Sequence, residues 1–221
     1  MKERRFWTAA AALLALLGAI QFAAARNDSA TFDEPIHMAA GYSYLLSRDF
    51  RLNPEHPPLA KQLFALPLLL LRPDFPFQSP AWKRGEQLPL AFAFLYDNRV
   101  PADTMLLVSR SVAILMTLLL GASLALWTKR RFGAPAALLA LFLFTTDPNI
   151  AAHGRLATTD LPVTLFFWLA VTAWGGYVVE KRPRDLVLAG LATGLALLSK
   201  FSAALLLPVF AILYLCRAWQ E

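Results

Sequence analysis

Only one cysteine, Cys216, occurs in 221 residues, so no intramolecular disulfide can staple the chain. It falls at the end of an apolar stretch and reads as a buried, inert thiol. There is no internal repeat, which sets aside repeat architectures, and no low-complexity tract that would read as a linker. Charged residues make up only 16% of the chain. The pI is about 9.8, yet there is no nucleic-acid signature and no nucleic-acid partner is expected. No tight metal-ligand motif is present either.

What the chain has in abundance is apolar sequence. Hydrophobic residues account for 57% of it and the mean hydropathy is +0.49, beyond the roughly 45–50% apolar content of soluble domains. Long apolar runs cover Phe6–Ala25, Met105–Trp127, Ala134–Thr146 with its continuation, and Leu161–Val179. The region Leu186–Trp219 is too long for one crossing of about 20 residues. It is interrupted at Ser199-Lys200 and Pro208, and reads as two short tilted helices that meet at Lys200. The expectation is an all-α polytopic membrane protein with about six transmembrane helices. Lys2-Glu-Arg-Arg5 followed by an apolar run and Ala23-Ala24-Ala25 has features of a signal peptide, but the run exceeds a usual apolar signal core and reads as a retained span.

Charge sets the orientation. Lys2, Arg4, Arg5, Lys129, Arg130, Arg131, Lys181, Arg182, Arg184 and Arg217 share one face with only Glu3, Glu180, Asp185 and Glu221 as acids. The full net charge of +6 therefore lies on that face, and the other face is balanced. Short Lys- and Arg-rich loops stay cytoplasmic, which places both termini inside and the long loop 26–104 outside, in the plasma (inner) membrane of a bacterium.

That outer loop is rich in ionisable groups and prolines. Thr31-Phe-Asp-Glu-Pro-Ile-His37 opens a helical stretch from Pro35 to Leu46. Asp33 reads as its N-cap, and Glu34 and Pro35 suit its first turn. Ile36, Ala39, Ala40 and Leu46 are expected to face the membrane, with Asp33, His37 and Tyr44 on a common face. Pro58–Leu71, with Leu59, Leu63, Leu66 and Leu70 on one side, reads as a second interfacial helix. Trp82, Phe92, Phe94 and Tyr96 suit an interface belt. A shorter outer loop, Asp147–Asp160, ends in a second acid that reads as a helix cap.

These elements carry the candidate chemistry. Asp33 is the better general base, and Glu34, about 100° away on the helix, is a structural or positioning group. Glu55 and His56, with Asp33 or Asp160, are a set that could hold a divalent metal ion. Pro54, Pro57 and Pro58 hold their backbone extended. Arg110 lies more than a turn inside an apolar run, where ionised groups face a protein interior or polar cavity, unless it snorkels to the surface. Lys61, Arg155 and Lys200, with Arg110, could neutralise a phosphate near the outer leaflet.

Phe32-Asp33-Glu34-Pro35 with Gly41 and Tyr44-Leu45, Asn53-Pro-Glu-His-Pro-Pro-Leu-Ala-Lys61, Asp147-Pro148 with Gly154-Arg155 and Thr159-Asp160, and finally Gly190–Lys200 occur in an order that carries a resemblance. The chain resembles a C-type membrane glycosyltransferase of the protein O-mannosyltransferase and aminoarabinose lipid A transferase superfamily. The resemblance implies transfer of a sugar from a polyprenyl-phosphate carrier to a protein or lipid acceptor outside the membrane, with inversion. It implies Asp33 as the base on the acceptor, Asp160 as a second acid, and Glu55 at a position that takes part in metal binding in some members. Lys61, Arg155 and Lys200 would meet the carrier phosphate, with Arg110 and His56 as further candidates. Family members have about twice as many spans, so residues 1–221 read as a single transferase module from the N-terminal part of a longer enzyme.

Two other readings exist. A transporter or flippase-like subunit would use Arg110 and the broken helix at Ser199-Lys200. A non-catalytic membrane partner would dock another subunit through the outer loop.

Overall fold

A computed structural model describes residues 3–220; Lys2 and Glu221, which enter the charge asymmetry, lie outside the described residues. The described residues form helices and no strand. In chain order these are α1 (Glu3–Asn27), α2 (Asp33–Ser47), α3 (Leu59–Ala65), α4 (Leu68–Leu71), α5 (Pro80–Arg84) and α6 (Gln87–Tyr96). Then come α7 (Ala102–Thr146), α8 (Pro148–His153), α9 (Asp160–Glu180), α10 (Pro183–Leu197), a 3₁₀ turn (Phe201–Leu205) and α11 (Leu206–Gln220).

Four helical stretches are long and apolar enough to cross a membrane: Glu3–Asn27, Ala102–Thr146, Asp160–Glu180 and Phe201–Gln220. The six expected spans correspond to α1, the two arms of α7, α9, α10 and α11, of which the count by length and composition separates four. One reason is α7, whose 45 residues bend sharply at Gly133, where φ is 85° and ψ is 173°. That φ suits glycine, and Pro135 starts the second arm. The arms fold back on each other, since a Cβ on Gly121 would stand 2.9 Å from the Phe144 ring. Phe6 and Ala10 of α1 pack with Ala125, Ala137 and Leu141 of both arms. The other reason is α10, which has only 15 residues.

The long segment between α1 and α7 is a packed layer of short helices. Ile36, Ala39 and Ala40 are buried with Tyr42, Leu90 and Phe94 in one core. The expectation that they face the membrane is corrected: a short apolar helix looks the same in sequence whether lipid or protein covers it. Trp82 and Phe94 likewise join that core, whereas Leu46, Phe92 and Tyr96 are exposed. In the second segment Phe64, Ala65 and Leu68 turn inward and Leu66 and Leu70 outward. The approach of α2 to α3 is so close that a Cβ on Gly41 would stand 2.0 Å from the Lys61 carbonyl oxygen. Cys216 is exposed rather than buried, because α11 packs through little of its surface.

Candidate active site

A cavity of about 200 Å³ is lined by Asp33 and His37 of α2, Glu55 and His56 of the proline-rich loop, Asp160 at the start of α9 and Lys200 after α10. Asn53, Gln87, Thr158 and Thr159 complete much of the wall. Five stretches far apart in sequence meet here. Leu59 N–H donates to the Leu198 carbonyl at 3.0 Å, which ties the proline-rich loop to the end of α10.

The two acids are not helix caps. Phe32, ahead of Asp33, already has helical φ and ψ of −57° and −41°, and no side chain caps there. The start of α2 is held instead by Glu34, whose carboxylate accepts from Thr31 N–H at 2.9 Å and Thr31 Oγ at 3.0 Å. This is half of a capping box read in Thr31-x-x-Glu34, and it leaves the Asp33 carboxylate free to line the cavity. Thr159 ahead of Asp160 is also helical, at φ −72° and ψ −9°, with no side-chain cap. Asp160 instead accepts from Lys200 Nζ at 2.6 Å. An ammonium has three donors, so this bond leaves Lys200 further capacity.

His37 stands with Nδ1 3.1 Å from the Ala157 carbonyl. A carbonyl only accepts, so Nδ1 carries the hydrogen and Nε2 is left as an acceptor in the neutral ring. Burial pushes the His37 pKa below its ordinary value, partly offset by the Ala157 bond. Burial and the nearby charges of Lys200 and Lys61 push His56 in the same direction. Both rings are therefore neutral at pH 7.

Four other candidates lie behind the cavity. Glu34 and Arg110 form a bidentate pair at 2.8 and 2.6 Å, with side chains 0% and 1% exposed. The remaining Arg110 donors reach the carbonyls of Ala25, Asp28 and Ser29 at 2.8 to 2.9 Å. Glu34 also accepts from Ala157 N–H at 3.1 Å. Burial raises the Glu34 pKa, but Arg110 and the amides of Thr31 and Ala157 outweigh it and hold the carboxyl below its ordinary value. The phosphate role expected for Arg110 is corrected, because every guanidinium nitrogen already has a protein acceptor. Glu34 positions the loop and has no free lone pair for catalysis.

Lys61 is fully buried and donates to the carbonyls of Asn53 and His56 at 2.5 and 2.6 Å. Burial pulls its pKa down to about 8, with Glu55 opposing. Arg155 pairs with Asp28 and donates to the carbonyls of Ala151 and Ala152 at 3.1 and 2.7 Å. Neither Lys61 nor Arg155 reaches the cavity, so their phosphate roles are corrected too. Both hold backbone around it.

Glu55 sits in a ring of amides. It accepts from Asn53 Nδ2 at 2.6 Å and Gln87 Nε2 at 2.9 Å, and Asn53 Nδ2 also donates to Gln87 Oε1 at 2.9 Å. Burial raises the Glu55 pKa, but its own backbone amide, Gln87, Lys61 and His56 outweigh it and lower it overall. Among the described residues no three His, Cys, Asp or Glu side chains stand close enough together to hold a metal ion. The residues present do not form the ligand set expected around Glu55, and no step below runs through a metal.

Asn53, Gln87, Thr158 and Thr159 are the wall residues that sequence reading missed. Gln87 comes 34 residues after Asn53, and no local pattern links an amide at a helix start to a distant asparagine. Thr31-x-x-Glu34 was a readable signal, and its meaning was overlooked because Asp33 stood at the more familiar cap position.

The described residues form an all-helical membrane protein, with membrane-length apolar helices and a carboxylate- and lysine-lined cavity at one end. The family described as dolichyl-phosphate-mannose-protein mannosyltransferase matches residues 103–220, more than half of the chain, and the chain belongs to that family. It is also similar to dolichyl-phosphate-mannose–protein mannosyltransferase 1 of Candida albicans, at 24% identity over 98% of this chain. The chain spans about a quarter of that relative, 24% of its length. No solved structure matches the chain.

Proposed function

We propose that this chain forms the acceptor-and-phosphate end of a sugar transferase that takes its sugar, most simply mannose, from a polyprenyl-phosphate carrier. The acceptor is a protein or lipid hydroxyl on the extracytoplasmic side. The observation that supports this most is the convergence of Asp33, Asp160 and Lys200 on one cavity in a chain of this family. Family membership favours this reading over the transporter and docking-partner readings.

In the reaction, the Asp33 carboxylate takes the proton of the acceptor hydroxyl. The acceptor oxygen forms a bond to the anomeric carbon from the face opposite the phosphate. The bond from that carbon to the phosphate oxygen breaks, and the configuration inverts. Negative charge gathers on the departing polyprenyl phosphate, where the Lys200 ammonium stabilises it. Asp160 holds Lys200 in place, and the neutral Nε2 of His37 accepts from a bound hydroxyl. A phosphate leaves without protonation, so no general acid is required.

Loading the purified protein with a polyprenyl phosphate and reading retention by native mass spectrometry tests the assignment. Loss of a charge-assisted contact costs about 1.5–3 kcal/mol, so Lys200→Ala is expected to retain the lipid roughly tenfold less or worse. Wild-type retention in Lys200→Ala contradicts the phosphate assignment. The proposed orientation is tested separately: Gln78→Cys in a Cys216→Ser background is expected to react with an impermeant reagent in intact cells. Reaction only after permeabilisation contradicts it.

A further inference from the structure

A second and larger cavity, of about 900 Å³, lies between α7, α9 and α10 at the end of the molecule away from Asp33. It is bounded where α7 approaches its bend at Gly133, where α9 ends at Glu180 and where α10 begins at Pro183. The catalytic reading uses none of its residues.

The cavity has two kinds of wall. Leu126, Trp127, Trp168, Leu191 and Leu195 make one side apolar, and the two indoles meet edge to face at 5.4 Å. At the rim stand Arg130, Arg131, Arg182 and Arg184 with Glu180 and Asp185. The acids are satisfied mainly by one arginine: Arg182 reaches Glu180 at 2.6 Å and Asp185 at 2.8 Å. Arg131 and Arg184 stand 3.7 Å from the same acids, beyond hydrogen-bond distance. Their side chains are 41% and 70% exposed. Arg130 makes no ion pair among the described residues and is exposed. Three guanidinium groups therefore keep donors free on a rim whose positive charges outnumber its negative ones. The N-terminus of α10 lies on the same rim, and no side chain caps it.

We propose that this groove binds an anionic diacyl phospholipid, with the phosphate headgroup on Arg130, Arg131 and Arg184 and an acyl chain along Leu126, Trp168 and Leu191. Guanidinium forks match phosphate oxygens bidentately, and basic pockets between membrane helices on the positive side of a protein recognise anionic headgroups. A free phosphate would leave the apolar wall uncovered, and a neutral lipid would leave the three guanidiniums unmatched. The lipid covers both, and it sits against the contact of α9 with α10. That contact is tight at Gly176, where a Cβ would stand 3.2 Å from the Asp185 carboxylate.

The test is competitive retention in native mass spectrometry of the whole chain in non-ionic detergent. Phosphatidylglycerol, phosphatidylcholine and a polyprenyl phosphate are offered at equal concentration, with glycerol phosphate as a soluble competitor. Phosphatidylglycerol is expected to be retained at least tenfold over phosphatidylcholine. Arg130→Gln/Arg131→Gln/Arg184→Gln is expected to abolish that preference while leaving phosphatidylcholine retention unchanged. Leu191→Trp, at a position 61% exposed, fills the groove without disturbing packing and is expected to reduce retention of both diacyl lipids. Arg130→Gln alone, a change at an unpaired exposed residue, is expected to weaken phosphatidylglycerol several-fold, and it decides the matter if the triple variant does not fold. Asp33→Asn and Lys200→Ala are expected to leave phosphatidylglycerol retention unchanged, which separates this site from the transfer site. Equal retention of the two diacyl lipids, wild-type retention in the arginine variants, or displacement by glycerol phosphate overturns the proposal. So does a groove that prefers the polyprenyl phosphate.

Discussion

Two acid–base pairs tie distant parts of this chain together, and they differ in how much water reaches them. Glu34 and Arg110 bridge 76 residues with side chains 0% and 1% exposed. Asp160 and Lys200 bridge 40 residues with side chains 60% and 24% exposed. In the first pair all lone pairs and N–H groups are directed at protein, so the pair is a structural clasp. In the second, both side chains keep hydrogen-bond capacity open to the cavity, which is where the proposed carrier phosphate would bind. A charged residue near a membrane face is thus identified as structural or functional by its remaining hydrogen-bond capacity, not by its charge.

Breaking the clasp should have the largest effect. Removing one partner of a buried pair costs about 3–5 kcal/mol, so Arg110→Ala and Glu34→Ala are each expected to lower the thermal unfolding midpoint in detergent by many degrees. The double variant is expected to be less damaged than the sum, because no unpaired charge remains. Additive losses would show that the two residues act separately.

The next effect concerns the frame around the exposed pair. Gly41→Ala sets a methyl against the Lys61 carbonyl, and overpacking of this kind costs about 1–3 kcal/mol. Hydrogen exchange is expected to rise in α2 and α3 together. Unchanged protection would mean that the helices can separate freely and that Lys61 does not lock them.

A pH series sharpens the contrast further. His37 and His56 titrate below their ordinary value in the folded chain. The unfolded chain therefore takes up protons first as pH falls through about 6.5, and stability declines on acidification from that point. The Glu34 carboxyl is held low, so its contribution is full above about 4.5 and is lost only below that. Between pH 7 and 5 the decline should come from the histidines, and His37→Gln is expected to make it shallower in a melting series. An identical slope would remove His37 from the account.

The smallest stability effect is expected at the exposed pair. Lys200→Met should shift unfolding by less than about 1 kcal/mol while weakening polyprenyl-phosphate retention. A loss as large as that of Arg110→Ala would place Asp160–Lys200 among the structural pairs and collapse the comparison.

Much of this was legible before any coordinates. The apolar runs marked the helices, and the acids and bases near Asp33, Glu55, Asp160 and Lys200 marked the cavity wall. The rest was hidden for physical reasons. Ile36 and Ala40 are apolar whether lipid or Phe94 covers them. Lys61 and Arg155 carry the same charge whether they reach a phosphate or a backbone carbonyl. The bend at Gly133 folds the two apolar runs Met105–Trp127 and Ala134–Thr146 into one helical hairpin, and run length alone does not show that the arms pack against each other. Thr31-x-x-Glu34 was readable as a capping box and would have released Asp33 from its capping role.

In the proposed reaction Asp33 accepts a proton from the acceptor while its neighbour Glu34 only holds the loop. Asn preserves the shape of Asp33 and cannot take that proton, and loss of a general base costs about 10²–10⁴ in rate. In an active preparation of the protein assayed with a polyprenyl-phosphate sugar, Asp33→Asn is expected to melt like the wild type and to transfer sugar at least about a hundredfold more slowly. Near-normal turnover in Asp33→Asn would contradict the account.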